Sequence, residues 1–382
     1  EHDFIDFAVR GEGEESFTEI LERLTLGQDQ DGIPGITWRT QSGEIRFDAS
    51  ERPFNRDLDD YPSPYLEGMF DELLETRRDL TFQAIIETNR GCPFKCTFCY
   101  WGKGGLSRKY RYHGMDRVKA EIDWLGQRGI RYVFNADSNF GMHRRDKEIA
   151  EYLVETKKRY GAPEKFRTCY GKNTDEKIYE IGSLFRENDM EKGITISYQS
   201  YDETVQKNIK RGNIKIATAT ELQHKFNAQK IPVYTELILG LPGETVRSWV
   251  NGIDRILESG LKNQLFIYIC QVFPNTELAD PDYQKQFGIN TQRIEITEIH
   301  GSIRDPEWVP EYEDIVISTN SMSMEDWRRS LRLSWVTMVF HSMKLGFFLC
   351  AYLHRRHNVG YTDFLMYTRV TPEPEIPGVR GR

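Results

Sequence analysis

The chain has 382 residues, enough for two or three folding units and one large α/β core. Its 38% hydrophobic and 29% charged residues exclude a disordered or fibrous chain. A net charge of −8 disfavours nucleic acid as a partner, and six cysteines are too few for a disulfide scaffold. No charged and apolar leader follows Glu1, so a cytoplasmic location is expected.

In chain order, Asp3 to Val9 reads as a strand, and Gly11-Glu12-Gly13-Glu14 as an acidic turn entering a helix. Phe17, Ile20, Leu21 and Leu24 recur at helical spacing, and Ile36–Thr40 and Glu44–Phe47 flank a Ser-Gly turn, a predicted hairpin. Residues 51–80 open on a Pro- and Asp-rich stretch and read as a linker. From residue 81 strands and helices alternate. The predicted strands are 82–87, 131–135, 165–169, 193–197, 233–239 and 264–269. The predicted helices are 116–127, 144–159, 175–186, 217–229 and 244–258. Six strands joined by crossover helices predict an α/β fold over 81–290: a parallel sheet curled into a partial (β/α)6 TIM-like barrel, with its chemistry at the C-terminal ends of the strands. Residues 291–382 read as a mainly helical C-terminal cap and substrate region. Within it Trp335 to Leu353 has the length of a membrane span, but His341 and Lys344 near its middle favour a buried or interfacial helix.

Cys92, Cys96 and Cys99 are spaced C-x3-C-x2-C just past the first predicted barrel strand. Thiolates select zinc or iron–sulfur clusters. A structural zinc wants a fourth protein ligand, for which His113 is the nearest candidate, and a disulfide leaves one cysteine over. A [4Fe–4S] cluster on three cysteines fits best, because it keeps one iron open for a substrate.

With Phe98 before the last cysteine and the strand–helix pattern over residues 81–290, the chain resembles the radical S-adenosylmethionine superfamily. The resemblance implies that the open iron chelates S-adenosylmethionine, and that an electron from an external flavodoxin- or ferredoxin-type donor cleaves it to methionine and a 5′-deoxyadenosyl radical. It also assigns cofactor residues at the strand ends. Asp137 or Asn139 would accept from the cofactor ammonium. Gln199 and Ser200 would meet its ribose or methionine part, Arg211 its carboxylate, and Glu236 its ribose hydroxyls. Tyr100 follows the last cysteine and would pack near the cluster or adenine. The Gly240-Leu-Pro-Gly243-Glu244-Thr245 turn is the family's adenine-side turn. Cys169 and Cys270 end the third and sixth predicted strands and face the barrel mouth or sit in the core.

The segments VRGEGE, GITWRTQSGEIRF and LDDYPSPYL resemble the tail of a cobalamin-binding domain and its linker, which places the chain with the cobalamin-dependent subclass. Residues 1–50 are then a domain tail, and cobalamin is inferred for a longer parent protein. Most of that subclass methylates unactivated carbon or phosphorus, and a minority closes rings or couples carbons. A small-molecule or lipid-like substrate is expected.

Overall fold

A computed structural model describes residues 4–103, 110–171, 176–212, 216–299, 302–305 and 307–367. The chain divides into two compact units. The first takes residues up to Lys95, Cys99–Ser138 and Glu148–Cys169. The second takes Cys96–Phe98, Asn139–Lys147 and the chain from Tyr170 onward.

The first unit opens with strands β1 (Phe7–Val9), β2 (Ile36–Arg39) and β3 (Ile45–Phe47) in one antiparallel sheet, with helix Glu14–Thr25 between β1 and β2. Ile20 of the helix packs on Ile33, Ile36 and Trp38, a small core of its own. The predicted hairpin is β2–β3. Strands β4 (Gln83–Ile86) and β7 (Tyr132–Phe140) pair in parallel, and β8 (Lys165–Tyr170) lies on the other side of β7. Two-residue strands β5 (Asn89–Arg90) and β6 (Arg111–Tyr112) pair antiparallel and close the cysteine-bearing loop at its neck.

The second unit holds β9 (Ile194–Gln199), β10 (Val233–Leu239) and β11 (Leu265–Ile269), all parallel, with β10 central. Along β10 burial alternates strictly. Val233, Leu237 and Leu239 pack with Trp249, Ile253, Ile256 and Leu257 of helix Val246–Glu258, whose apolar residues recur at three- and four-residue steps. Each such side chain contributes roughly 1.5–3 kcal/mol on burial. Tyr234, Glu236 and Ile238 take the opposite, half-exposed face. At the start of the edge strand β11, Leu265 donates its N–H to the Ser342 hydroxyl at 3.0 Å and accepts from it at 3.1 Å.

All six predicted strands of the 81–290 region are present, the second ending five residues later than expected. Helix 244–258 begins instead at Val246, because Thr245 caps it: its hydroxyl accepts from the Ser248 N–H, and the Ser248 hydroxyl accepts from the Thr245 N–H. Asp3 and Asp175, predicted to start a strand and a helix, lie outside the described residues. The C-terminal region is less helical than predicted. β12 (Asn290–Glu295) pairs antiparallel with the strand Tyr312–Ser318 before the helices begin. The apolar run Trp335–Leu353 is no continuous helix. It is split between Met324–Ser342 and Phe347–His357, which bend by 95°. Among the described residues no single helix is long and apolar enough to cross a membrane; that bent pair passes the same test of length and composition jointly.

Candidate active site

In the first unit the loop that carries the cysteines leaves β5 through Gly91, whose φ of +118° only glycine adopts without strain. The strand end opposite fixes this exit. Asp137 is 1% exposed, and both of its oxygens are used. Oδ1 accepts from the N–H groups of Thr88 at 2.7 Å and Asn89 at 3.1 Å. Oδ2 accepts from the Asn89 side chain at 2.8 Å and from the Thr88 hydroxyl. Burial raises the Asp137 pKa against the pull of these donors. The next residue, Ser138, donates to the Gly91 carbonyl at 2.5 Å. The carboxylate expected to meet an ammonium is thus turned onto the backbone that leads to Cys92. Cys92 is buried and Cys99 partly so; Tyr100 is 42% exposed.

His113 is buried, with Nδ1 3.1 Å from Asp59 and Nε2 3.8 Å from Glu87. The nearest candidate for a fourth zinc ligand is therefore committed to carboxylates. Among the described residues no three His, Cys, Asp or Glu side chains gather closely enough to share a single ion.

In the second unit the short segment Cys96–Phe98 is seated by its backbone. Thr97 donates its N–H to the Ile209 carbonyl at 3.1 Å and accepts from the Leu278 N–H at 2.8 Å. Phe98 packs against a core of Val205, Ile209 and Leu241. Arg211 is 4% exposed; one guanidinium nitrogen donates to the Ser197 carbonyl, and Nη1 lies 4.0 Å from Cys96 Sγ. A buried positive charge thus stands beside the Cys96 sulfur.

At the end of β9 the ladder slips: Glu236 pairs with Ser197 but Leu237 with Gln199. Gln199 itself takes φ +64°, a conformation uncommon outside glycine, and is 8% exposed. Such a bulge re-aims a side chain at a strand end, and strain of this kind collects at functional sites. Glu236, on the half-exposed face of β10, accepts from the Ser197 hydroxyl at 2.6 Å. Asn139 is fully buried. Ser200 is turned the other way, donating to Glu244 Oε2 at 2.6 Å.

Glu244 is legible in the sequence only as the acid opening a helix. It is 1% exposed, and it accepts from the hydroxyls of Ser200 and Ser248. Burial pushes its carboxyl up to about 7. Gly243 before it has φ +92°, and a Cβ there would stand 2.5 Å from Asn208 Nδ2. Of the other cysteines, Cys270 is a core thiol pushed up to about 12 by burial, and Cys169 is exposed.

A chain of this α/β form, with a hydrogen-bonded loop carrying three cysteines, has the donors for an iron–sulfur centre. The Radical SAM superfamily model matches residues 86–256. The chain is 35% identical to 2-(S-pantetheinyl)-carbapenam-3-carboxylate methyltransferase of Streptantibioticus cattleyicolor, over 95% of this chain and 53% of that protein. It is 34% identical to the cobalamin-dependent radical SAM methyltransferase TokK of Streptomyces tokunonensis, with the same coverage. The chain spans about half the length of these relatives. Among solved structures it is similar to the methyltransferase TsrM of Kitasatospora setae, with TM-score 0.57 and 18% identity over 77% of this chain and 57% of that one. It is also similar to the cobalamin-dependent enzyme OxsB, with TM-score 0.57 and 14% identity over 94% of this chain and 54% of that one. Residues 86–256, which include the three cysteines, thus carry a domain of the radical S-adenosylmethionine superfamily.

Proposed function

We propose that the chain is the radical-generating part of a cobalamin-dependent methyltransferase that modifies an unactivated carbon of a small-molecule substrate. The observation that carries this is similarity to two such methyltransferases over 95% of the chain, well beyond the family domain. Relatives that close a ring in magnesium-protoporphyrin ester match only 35–45% of it, which favours methyl transfer over cyclisation.

In this reading residues 81–290 form a partial (β/α)6 barrel, 1–50 the tail of a cobalamin domain, 51–80 a linker and 291–382 the substrate cap. Cys92, Cys96 and Cys99 hold the [4Fe–4S] cluster, and the soft three-thiolate donor set fits it. Bound there with S-adenosylmethionine, the cluster supplies the one-electron cleavage that makes a 5′-deoxyadenosyl radical, while cobalamin supplies the methyl group. The chain's own residues prepare that site. Arg211 sets a positive charge beside Cys96 and would pair with the cofactor carboxylate. Glu236, oriented by Ser197, offers a carboxylate to ribose hydroxyls. Gln199 is held at the bulge by its backbone, Asn139 adds a buried amide, and Phe98 and Tyr100 flank the last cysteine. An external one-electron donor is required.

Anaerobic reconstitution tests the reading. The protein should bind about four irons, a number set by the cluster type, and form 5′-deoxyadenosine with dithionite. Cys92→Ala, Cys96→Ala and Cys99→Ala should each abolish cleavage; undiminished cleavage in any of them overturns the assignment.

A further inference from the structure

The neck of the cysteine loop carries a charge problem and its solution. In the β5–β6 ladder Arg90 stands directly opposite Arg111. Like charges in that position repel and would push the two strands apart. Both arginines are largely buried, with side chains 21% and 9% exposed. What separates this pair from an open neck is a carboxylate contributed from far along the chain. Glu12, 12% exposed, accepts from both guanidinium nitrogens of Arg111, with Nη1 at 3.0 Å, and its Oε2 also lies 3.6 Å from Arg90 Nη1. Glu14 accepts from the same Arg90 nitrogen at 2.7 Å, and Glu87 from Arg90 Nε at 2.8 Å. Arg111 also donates to the Asn55 carbonyl at 2.7 Å and lies over the Phe54 ring.

We propose that Glu12 is a positioning residue for the cysteine loop: a shared counter-charge, braced by Glu14, that lets two facing arginines close the neck. The acidic Gly11–Glu14 turn of the N-terminal segment thereby controls whether Cys92 and Cys99 are presented together. Ordinary surface pairs do not have this leverage. Arg131 and Glu164, 66% and 42% exposed, satisfy one another without holding two like charges together. The consequence for cluster assembly rests on the function proposed above; the brace itself does not.

The test therefore reads the neck in cluster-free full chain as well as in reconstituted protein. Glu12→Gln keeps the shape and removes the charge. It should speed amide exchange about tenfold or more at His113, whose N–H donates to the Thr88 carbonyl at 3.1 Å beside the neck, and speed alkylation of Cys92 and Cys99, since local opening reports local stability. Reconstituted iron content should fall with it. Removing one of the repelling charges as well, in Glu12→Gln/Arg111→Gln, should restore most of the protection, an outcome that a merely structural loss does not give. Glu14→Gln, which leaves Glu12 in place, should give a smaller effect and keeps the test readable where Glu12→Gln does not fold. Wild-type exchange in Glu12→Gln, or a double variant as open as the single, overturns the brace. If the brace behaves as stated while the wild-type protein takes up no iron, the functional reading fails and the brace stands.

Discussion

Replacing Glu244 with glutamine should make the protein more stable at neutral pH and change the shape of its pH dependence. Glu244 is buried beneath Ser200 and Ser248, and its carboxyl is pushed from 4.5 up to about 7, with desolvation the largest cause and nearby Asp202 adding to it. A carboxyl with a raised folded pKa stays protonated in the native state while the unfolded chain ionises. Below pH 4.5 both states hold the proton and there is no penalty. Between pH 4.5 and about 7 the native state binds the extra proton, so stability falls as pH rises, and above about 7 the loss is complete. At 1.36 kcal/mol per unit the loss is about 3 kcal/mol. The substituted amide has no charge to desolvate, and the two serine hydroxyls rotate to suit it. Thermal melts of wild type and Glu244→Gln at pH 5, 6, 7 and 8 should lie close together at pH 5. They should then separate by about 6–12 °C at pH 8, at a few degrees per kcal/mol for a unit of this size. Parallel curves across the range would refute the argument.

Asp137→Asn places an amide against four donors, so about 2–4 kcal/mol of local stability should be lost; hydrogen exchange at Thr88 and Asn89 reads it, and unchanged protection there counts against the clamp. Gly243→Ala forces φ +92° on an alanine and drives its Cβ against Asn208; a loss of about 1–3 kcal/mol is expected in chemical denaturation. Arg211→Met keeps the stem but removes the charge 4.0 Å from Cys96; the reconstituted cluster should be lost faster to a chelator, and equal loss rates would dismiss the electrostatic role. Gln199→Gly relieves the positive φ of that position; stability should hold or rise while S-adenosylmethionine binds more weakly in equilibrium titration.

The sequence was most legible where local chemistry decides the outcome. The β-branched runs at 194–199 and 233–239 form strands because their alternate residues pack on one helix layer. The acidic Gly11–Glu14 turn and the cysteine spacing are visible as written. Long-range partners were not. Asp137 reads as an acid at a strand end whether it meets a ligand or the backbone of Thr88, 49 residues away. Glu244 reads as an ordinary helix-opening acid, since neither its burial nor Ser200 is implied by the motif. Arg90 and Arg111 lie 21 residues apart, and only the β5–β6 ladder sets them face to face. The run Trp335–Leu353 kept its apolar character but not its continuity, because Met338–Ser342 forms a wider turn and a second helix starts at Phe347.

The serine at the start of β11 bears on how the protein survives its own folding. An edge strand offers a row of backbone donors and acceptors to any other extended chain, and this one carries exposed Phe266 and Tyr268 on one face. By giving and taking one hydrogen bond each with Leu265, Ser342 imitates a single residue of a neighbouring strand and stops the pairing there. His341 does the same for the carbonyl of Asn263, at 3.0 Å. The edge is therefore occupied at its first rungs by side chains that cannot propagate a sheet. A Ser342→Ala protein would fold to the same architecture with an open template at its rim, and the cost would surface as aggregation during expression rather than as lost activity.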